Sequence, residues 1–177
     1  MAGKTLIIGV GNLLLKDEGV GIHVAQELQR KDLPAGVEVF DGGVAGIGLL
    51  DFFREASKLL LIDAAEMNLK PGTVVRFTPE NVKDLGGGGK FSSHDVGLLE
   101  VLELAKALGH CPEDVVIIGI QPKEISWGTD LSLEVRASIP QVMEMVLKEI
   151  SSNFIATEVT EATENNKMNK EGETSTP

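Results

Sequence analysis

The sequence predicts a single-domain α/β fold of three layers, α/β/α, around a mostly parallel, five-stranded twisted sheet with one antiparallel edge strand. Three observations predict it. Short apolar runs of strand length alternate with helical periodicity through residues 1–150. The runs read as strands buried on both faces, as a sheet covered by helices requires. The chain has 177 residues, the length of one domain, and at that size roughly 70% of the unfolded surface is buried without any covalent staple.

The elements follow in order. The first strand is expected at residues 5–10, and a helix from about residue 18 to 30 places Val20, Val24 and Leu28 on one stripe. A second strand covers 37–40, a second helix 48–56 and a third strand 59–62. The fourth strand, 74–78, lies too close to the third for a long helix between them. Asn68 to Gly72 therefore reads as a turn, and one of the pair as the antiparallel edge. A third helix follows His94 with Leu98, Leu99, Leu102 and Leu108 inward, and a fifth strand covers 115–120. The last helix, 133–150, turns Val135, Ile139, Val142 and Val146 to the core, and Pro140 predicts a kink or a late start. Residues 151–177 carry five glutamates, two lysines and few large apolar side chains, and read as an acidic, disordered tail beyond a domain of residues 1–150.

Charge and cysteine usage narrow the function. Sixteen basic residues stand against 27 acidic ones, a net charge of −11, which opposes nucleic acid and anionic membranes as partners. The one cysteine, Cys111, excludes an internal disulfide and any multi-cysteine metal site within the chain. The N-terminal run is broken by glycines and Asn12 and lacks a cleavage site, and no apolar stretch approaches the roughly 20 residues that span a bilayer. The expectation is a cytoplasmic protein without membrane contact, and a monomer, since no heptad seam is present.

In open α/β sheets, ligands bind beyond the carboxyl ends of the strands. The polar residues expected there are Asn12 with Asp17-Glu18, then Asp41-Gly42-Gly43, Asp63 and Gln121. His94 joins them if Ser92-Ser93-His94-Asp95 is a capping box, with Ser92 as the N-cap. In the first turn the helix dipole disfavours imidazolium and keeps a lone pair available for a metal. Glu18, Asp63 and His94 then make a two-carboxylate, one-histidine site suited to nickel or zinc rather than copper(I). The bland reading is that the acids are caps or solvated turns and the histidine is structural. Gly19 and Gly21 each cost about 1 kcal/mol in a helix, which close packing on the sheet or open backbone around Glu18 would explain equally well.

Other constellations fail. Gly9-Val10-Gly11 begins a dinucleotide fingerprint, but Leu14 stands where the third glycine is required, and Asp41 lies 32 residues after Gly9 rather than about 20. Gly86 to Gly89 before Lys90 lacks the leading glycine of a P-loop and reads as a mobile loop. Ser92, Ser93, His94 and Asp95 cannot form a triad as sequence neighbours, and no nucleophile elbow exists. Cys111, between His110 and Pro112, reads as a helix end rather than a nucleophile. His23 falls mid-helix as a surface or packing residue, and no His-Glu-x-x-His zinc motif occurs.

Gly9-Val10-Gly11-Asn12, Leu14, Asp17-Glu18-Gly19 and Gly21, followed by Asp41-Gly42-Gly43, Ile62-Asp63-Ala64 and Ser93-His94-Asp95 with Gly97-Leu98, together resemble the hydrogenase maturation protease family. These endopeptidases trim the C-terminus of the large subunit of nickel-iron hydrogenases. The likeness covers about residues 4–150 in order and spacing. It implies that Glu18, Asp63 and His94 contact the metal and carry catalysis, and that Asp41-Gly42-Gly43 recognises the precursor along an extended segment. It implies as partner the precursor of the large subunit, and as metal the nickel already inserted in that precursor, for which cadmium or zinc could substitute in the site. Val44 departs from the threonine common in relatives, which bears on substrate preference. The ion could polarise the carbonyl or acidify a water, or a carboxylate could act as base. The alternatives are a Rossmann-like nucleotide-binding domain at Gly9 to Asn12 and a non-catalytic metal-sensing maturation partner.

Overall fold

The computed structural model describes residues 4–44, 46–84, 90–91 and 98–151. Strand β1 (Lys4–Val10) leads through a loop and a 3-10 turn (Lys16–Gly19) into α1 (Val20–Leu28). Strand β2 (Val37–Gly43) follows, then a second 3-10 turn (Ile47–Leu49) continuing as α2 (Leu50–Phe53), and β3 (Ala56–Glu66). After β4 (Val74–Phe77) come α3 (Pro79–Asp84), β5 (Lys90–Phe91), α4 (Leu98–Ala107) and β6 (Asp114–Ile120), and a last helix, α5, spans 133–151. Of the expected tail, 151–177, Ser151 still belongs to α5, and 152–177 lie outside the described residues.

Five strands form the sheet in the order β2-β1-β3-β6-β4. All neighbours are parallel except β4, which runs antiparallel to β6 at the edge. The five expected strands are all present, and the antiparallel edge is β4, although its partner is β6 and not the preceding strand. Strand β3 is longer than its apolar run at both ends, because pairing rather than composition sets its length. Asp63 pairs with Gly119 of β6, and Ala65 and Glu66 pair antiparallel with Phe91 and Lys90 of β5. Strand β2 likewise continues through Asp41 to Gly43, with a bulge where the register steps from Gly9 opposite Asp41 to Val10 opposite Gly43. Helix α2 is shorter than expected because Ala56 is already paired with Lys4 in the sheet. Helix α5 does not start late: it begins at 133 and runs on through the exposed Pro140.

Strict alternation along the buried strands divides the core in two. Leu6, Ile8, Leu59, Leu61, Val115 and Ile117 face α2 and α4 through Phe53, Val101 and Leu102. Ile7, Leu60, Ile62, Val116 and Ile118 face α1 and α5 through Val24, Leu28, Val135 and Val146. That is the expected three-layer arrangement.

Helix α1 lies with its backbone directly on the sheet. A Cβ placed on Gly21 would fall 2.1 Å from the Ile62 carbonyl oxygen and 2.4 Å from that of Val10. A Cβ on Gly9 would fall 2.1 Å from the Gly21 carbonyl oxygen. Close packing therefore compensates for glycine in the first turn of this helix, the first of the two explanations weighed from sequence. Replacing Gly21 with alanine is expected to destabilise the fold by roughly 3 kcal/mol, the upper range for overpacking, and urea denaturation showing wild-type stability would contradict the packing described.

An ion cluster centred on the buried Lys58 ties α5 to the other end of the sheet. The Lys58 side chain, 4% exposed, reaches Asp114 at 2.9 Å and Glu149 at 3.1 Å, and Glu149 also accepts from Arg76. Arg76, with Lys58 beside it, holds the Glu149 carboxyl below the usual glutamate range against the effect of burial. A carboxylate whose pKa is depressed on folding stabilises above its unfolded value and loses that contribution as pH falls through the folded one. Glu149→Gln should lower stability at pH 7 by about 1.5 to 3 kcal/mol, as for hydrogen bonds to charged groups. The gap should close as pH falls below about 4, near the ordinary glutamate pKa. Denaturation curves at both pH values check it, and a gap independent of pH would refute it.

Candidate active site

Glu18 sits in the 3-10 turn that carries the chain from the carboxyl end of β1 into α1, and its side chain is wholly buried. The turn is held from below by Gly11, whose Cβ would lie 1.9 Å from the Glu18 carbonyl oxygen and whose φ of +139° lies in the region that favours glycine. The Asn12 N–H donates to that same carbonyl at 3.3 Å, and the Asn12 side chain accepts from Leu14 N–H at 2.9 Å, so Asn12 is spent on the loop.

Asp17 holds the turn from the other side. Its wholly buried carboxylate accepts three backbone N–H bonds, from Lys123 at 2.9 Å, Glu124 at 3.0 Å and Ser132 at 2.7 Å. Lys16 N–H donates to the Gly128 carbonyl at 2.9 Å, and Gly128 N–H to the Leu14 carbonyl at 3.0 Å. Residues 12–19 and 121–132 thus form one braced rim. Sequence reasoning grouped Asp17 with Glu18, since nothing local distinguishes the two acids; their partners do.

Asp63 lies within β3, one residue past Ile62, on whose carbonyl Gly21 rests. It too is wholly buried, and by strand alternation it shares the face of Leu59 and Leu61, the face that α4 covers. Opposite it in β6 stands Gly119. The 3-10 turn bearing Glu18 packs on β3, so both predicted carboxylates are buried at one edge of the sheet. Two residues beyond Asp63, β3 takes up β5, which ends at Phe91. His94 and its expected capping box lie outside the described residues, as does Gly86 to Gly89. Among the described residues no group of three His, Cys, Asp or Glu side chains could hold a metal ion. Two buried carboxylates nevertheless fit the oxygen-donor part of a mixed site for a divalent ion.

The remaining candidates separate clearly. Asp41 is exposed near the end of β2, where its Oδ1 accepts from Gly43 N–H at 2.9 Å. Gly43 in turn accepts from Gly11 N–H at 3.0 Å, which links this segment to the Glu18 loop. Gln121 is structural: its Oε1 accepts from Met67 N–H at 2.7 Å and Leu69 N–H at 3.2 Å, and its Nε2 donates to Glu66 and to the Pro122 carbonyl. Burial pushes the Cys111 thiol up, away from thiolate, and places it after α4 as expected. His23 lines a groove of about 700 Å³ between α1 and α5, away from both carboxylates, and burial lowers its pKa. A Cβ on Gly9 or Gly11 would strike the carbonyl of Gly21 or Glu18, so these two glycines are spent on packing α1 and its leading turn against β1. That disfavours the nucleotide-binding alternative.

Residues 22–149 match the family model described as hydrogenase maturation protease. The hydrogenase expression/formation protein HupD of Rhizobium leguminosarum bv. viciae is 35% identical over 157 residues, covering 88% of this chain and 78% of HupD. The hydrogenase 2 maturation protease of Escherichia coli is 35% identical over 146 residues, covering 81% of this chain and 88% of its own. Among solved structures, the E. coli hydrogenase maturating endopeptidase HybD superposes with a TM-score of 0.76 at 34% identity, covering 84% of this chain and 93% of HybD. The chain belongs to the hydrogenase maturation protease family, and it is accordingly an endopeptidase.

Proposed function

We propose that this endopeptidase removes the C-terminal extension of the precursor large subunit of a nickel-iron hydrogenase once nickel has been inserted. The observation that carries this reading is the burial of Glu18 and Asp63 together at the carboxyl edge of the sheet, in a chain of this family. Nickel enters as part of the substrate. Glu18 and Asp63 supply oxygen donors to it, and His94 a nitrogen donor. Phe91 is anchored beside Ala65, and the three residues from there to His94 reach at most about 10 Å. The bound ion fixes the precursor so that its scissile peptide lies against the carboxylates, which converts recognition of the metal into positioning of the bond. Zinc or cadmium can fill the same donor set.

Strand β2 is an edge strand, and Asp41, Gly42 and Gly43 bring its carboxyl end to the loop of Glu18. Their place beside that loop supports a role in recognising the precursor along an extended segment. A non-catalytic metal-sensing role is set aside by the enzyme class. The lone thiol and the net charge of −11 favour a monomer working in the cytoplasm, without nucleic acid or membrane as partner. Among the described residues, no helix is long and apolar enough to cross a membrane.

Incubation with nickel-loaded and nickel-free precursor should give trimming of the loaded form alone, read as a mass shift, and equal cleavage of both would refute nickel recognition. Glu18→Gln, Asp63→Asn and His94→Ala should each slow trimming by at least about a hundredfold, the scale of lost positioning, with native circular dichroism retained. Normal processing by any of the three would remove that residue from the site.

A further inference from the structure

The rim beside Glu18 carries exposed apolar side chains on a braced backbone. Trp127 is 81% exposed, Leu14 55% and Ile125 43%. Monomer surfaces seldom display a tryptophan so fully, and clustered apolar exposure marks an interaction surface. These side chains do not sit on a loose loop. Gly128, next to Trp127, exchanges backbone hydrogen bonds with Leu14 and Lys16, and Asp17 ties the segment down at Lys123, Glu124 and Ser132. An exposed indole on a fixed backbone has only two side-chain torsions to lose on binding, which is the character of an interface anchor. Across Gly11, Val44 and Ile47 are exposed as well, so apolar ground flanks the buried carboxylates on two sides.

We infer that Trp127, with Leu14 and Ile125, is the docking anchor for an apolar surface of the metal-loaded large-subunit precursor next to its cleavage segment. The inference rests on the proposed protease reading. Continuity decides the occupant: Leu14 lies four residues before Glu18 on the same loop, and Gly128 is hydrogen-bonded to that loop, so the patch borders the carboxylate to which the precursor is brought. The anchor acts on capture and not on bond breaking, because Trp127 projects into solvent while Glu18 and Asp63 are buried.

Trp127 is the one tryptophan of the chain, so labelling the full-length protein with 5-fluorotryptophan gives a single fluorine resonance that reports this position. Adding unlabelled, nickel-loaded precursor should shift or broaden that resonance, while dilution of the protease alone leaves it in place. Trp127→Ala should raise KM about tenfold or more, with the loss in KM rather than kcat, and Trp127→Phe should recover part of it. Thermal midpoints near that of the unsubstituted protein show that the variants fold. A resonance indifferent to a precursor that is being cleaved would overturn the inference and leave the protease reading standing. A resonance that moves on dilution alone would assign the patch to a second copy of this chain and equally overturn it. Failure of the unlabelled protein to cleave would refute the protease reading instead, with the fluorine signal still deciding whether the precursor docks.

Discussion

Everything at the carboxyl edge of the sheet depends on how closely one helix backbone approaches two strands. Gly9 and Gly21 let α1 rest on the carbonyls of β1 and β3, and Gly11 lets the preceding turn sit on the end of β1. Any side chain at these positions would lift the turn, and with it Glu18. Burying carboxylates opposes folding, so the backbone that places Glu18 and Asp63 must be determined by contacts other than their own. Glycine packing below and the Asp17 hydrogen bonds above supply that determination.

The two ends of β3 divide the labour. Near its start, Lys58 joins Asp114, Glu149 and Arg76 into an ion cluster that fastens α5. Toward its finish, Asp63 faces the α4 layer and the strand runs on past β1 to receive β5. Between them lie Leu59 to Ile62, fully enclosed by both core faces. Charge on β3 is thus confined to its two ends, one securing the last helix and the other carrying the carboxylate proposed to serve the substrate.

Much of this was legible from residue pattern alone. The unbroken apolar runs of β1 and β6 located those strands to within a residue, because burial on both faces leaves no room for polar interruption. Strand β3 was underestimated since Lys58, Asp63 and Glu66 look like boundaries, while hydrogen-bonding partners far along the chain keep them in the ladder. The strand-end rule picked out Glu18 and Asp63, yet it also picked out Gln121, which is consumed in holding the turn after β3. Asp17 escaped recognition for the same reason: the N–H group it binds at Ser132 is 115 residues away, beyond any local pattern. Trp127 stood out only once its exposure was known.

The two neighbouring acids, Asp17 and Glu18, have different fates, one locked to the chain by three N–H groups and one proposed as a donor to the substrate's metal. Between Asp17 and the seat of Gly21 the helical path turns by roughly 100 to 120° per residue. An insertion or deletion in that stretch would put the Asp17 hydrogen bonds and the Gly21 contact out of phase, so that keeping one anchor releases the other. The spacing from the latch to the helix is therefore as much a part of the placement of Glu18 as either anchor.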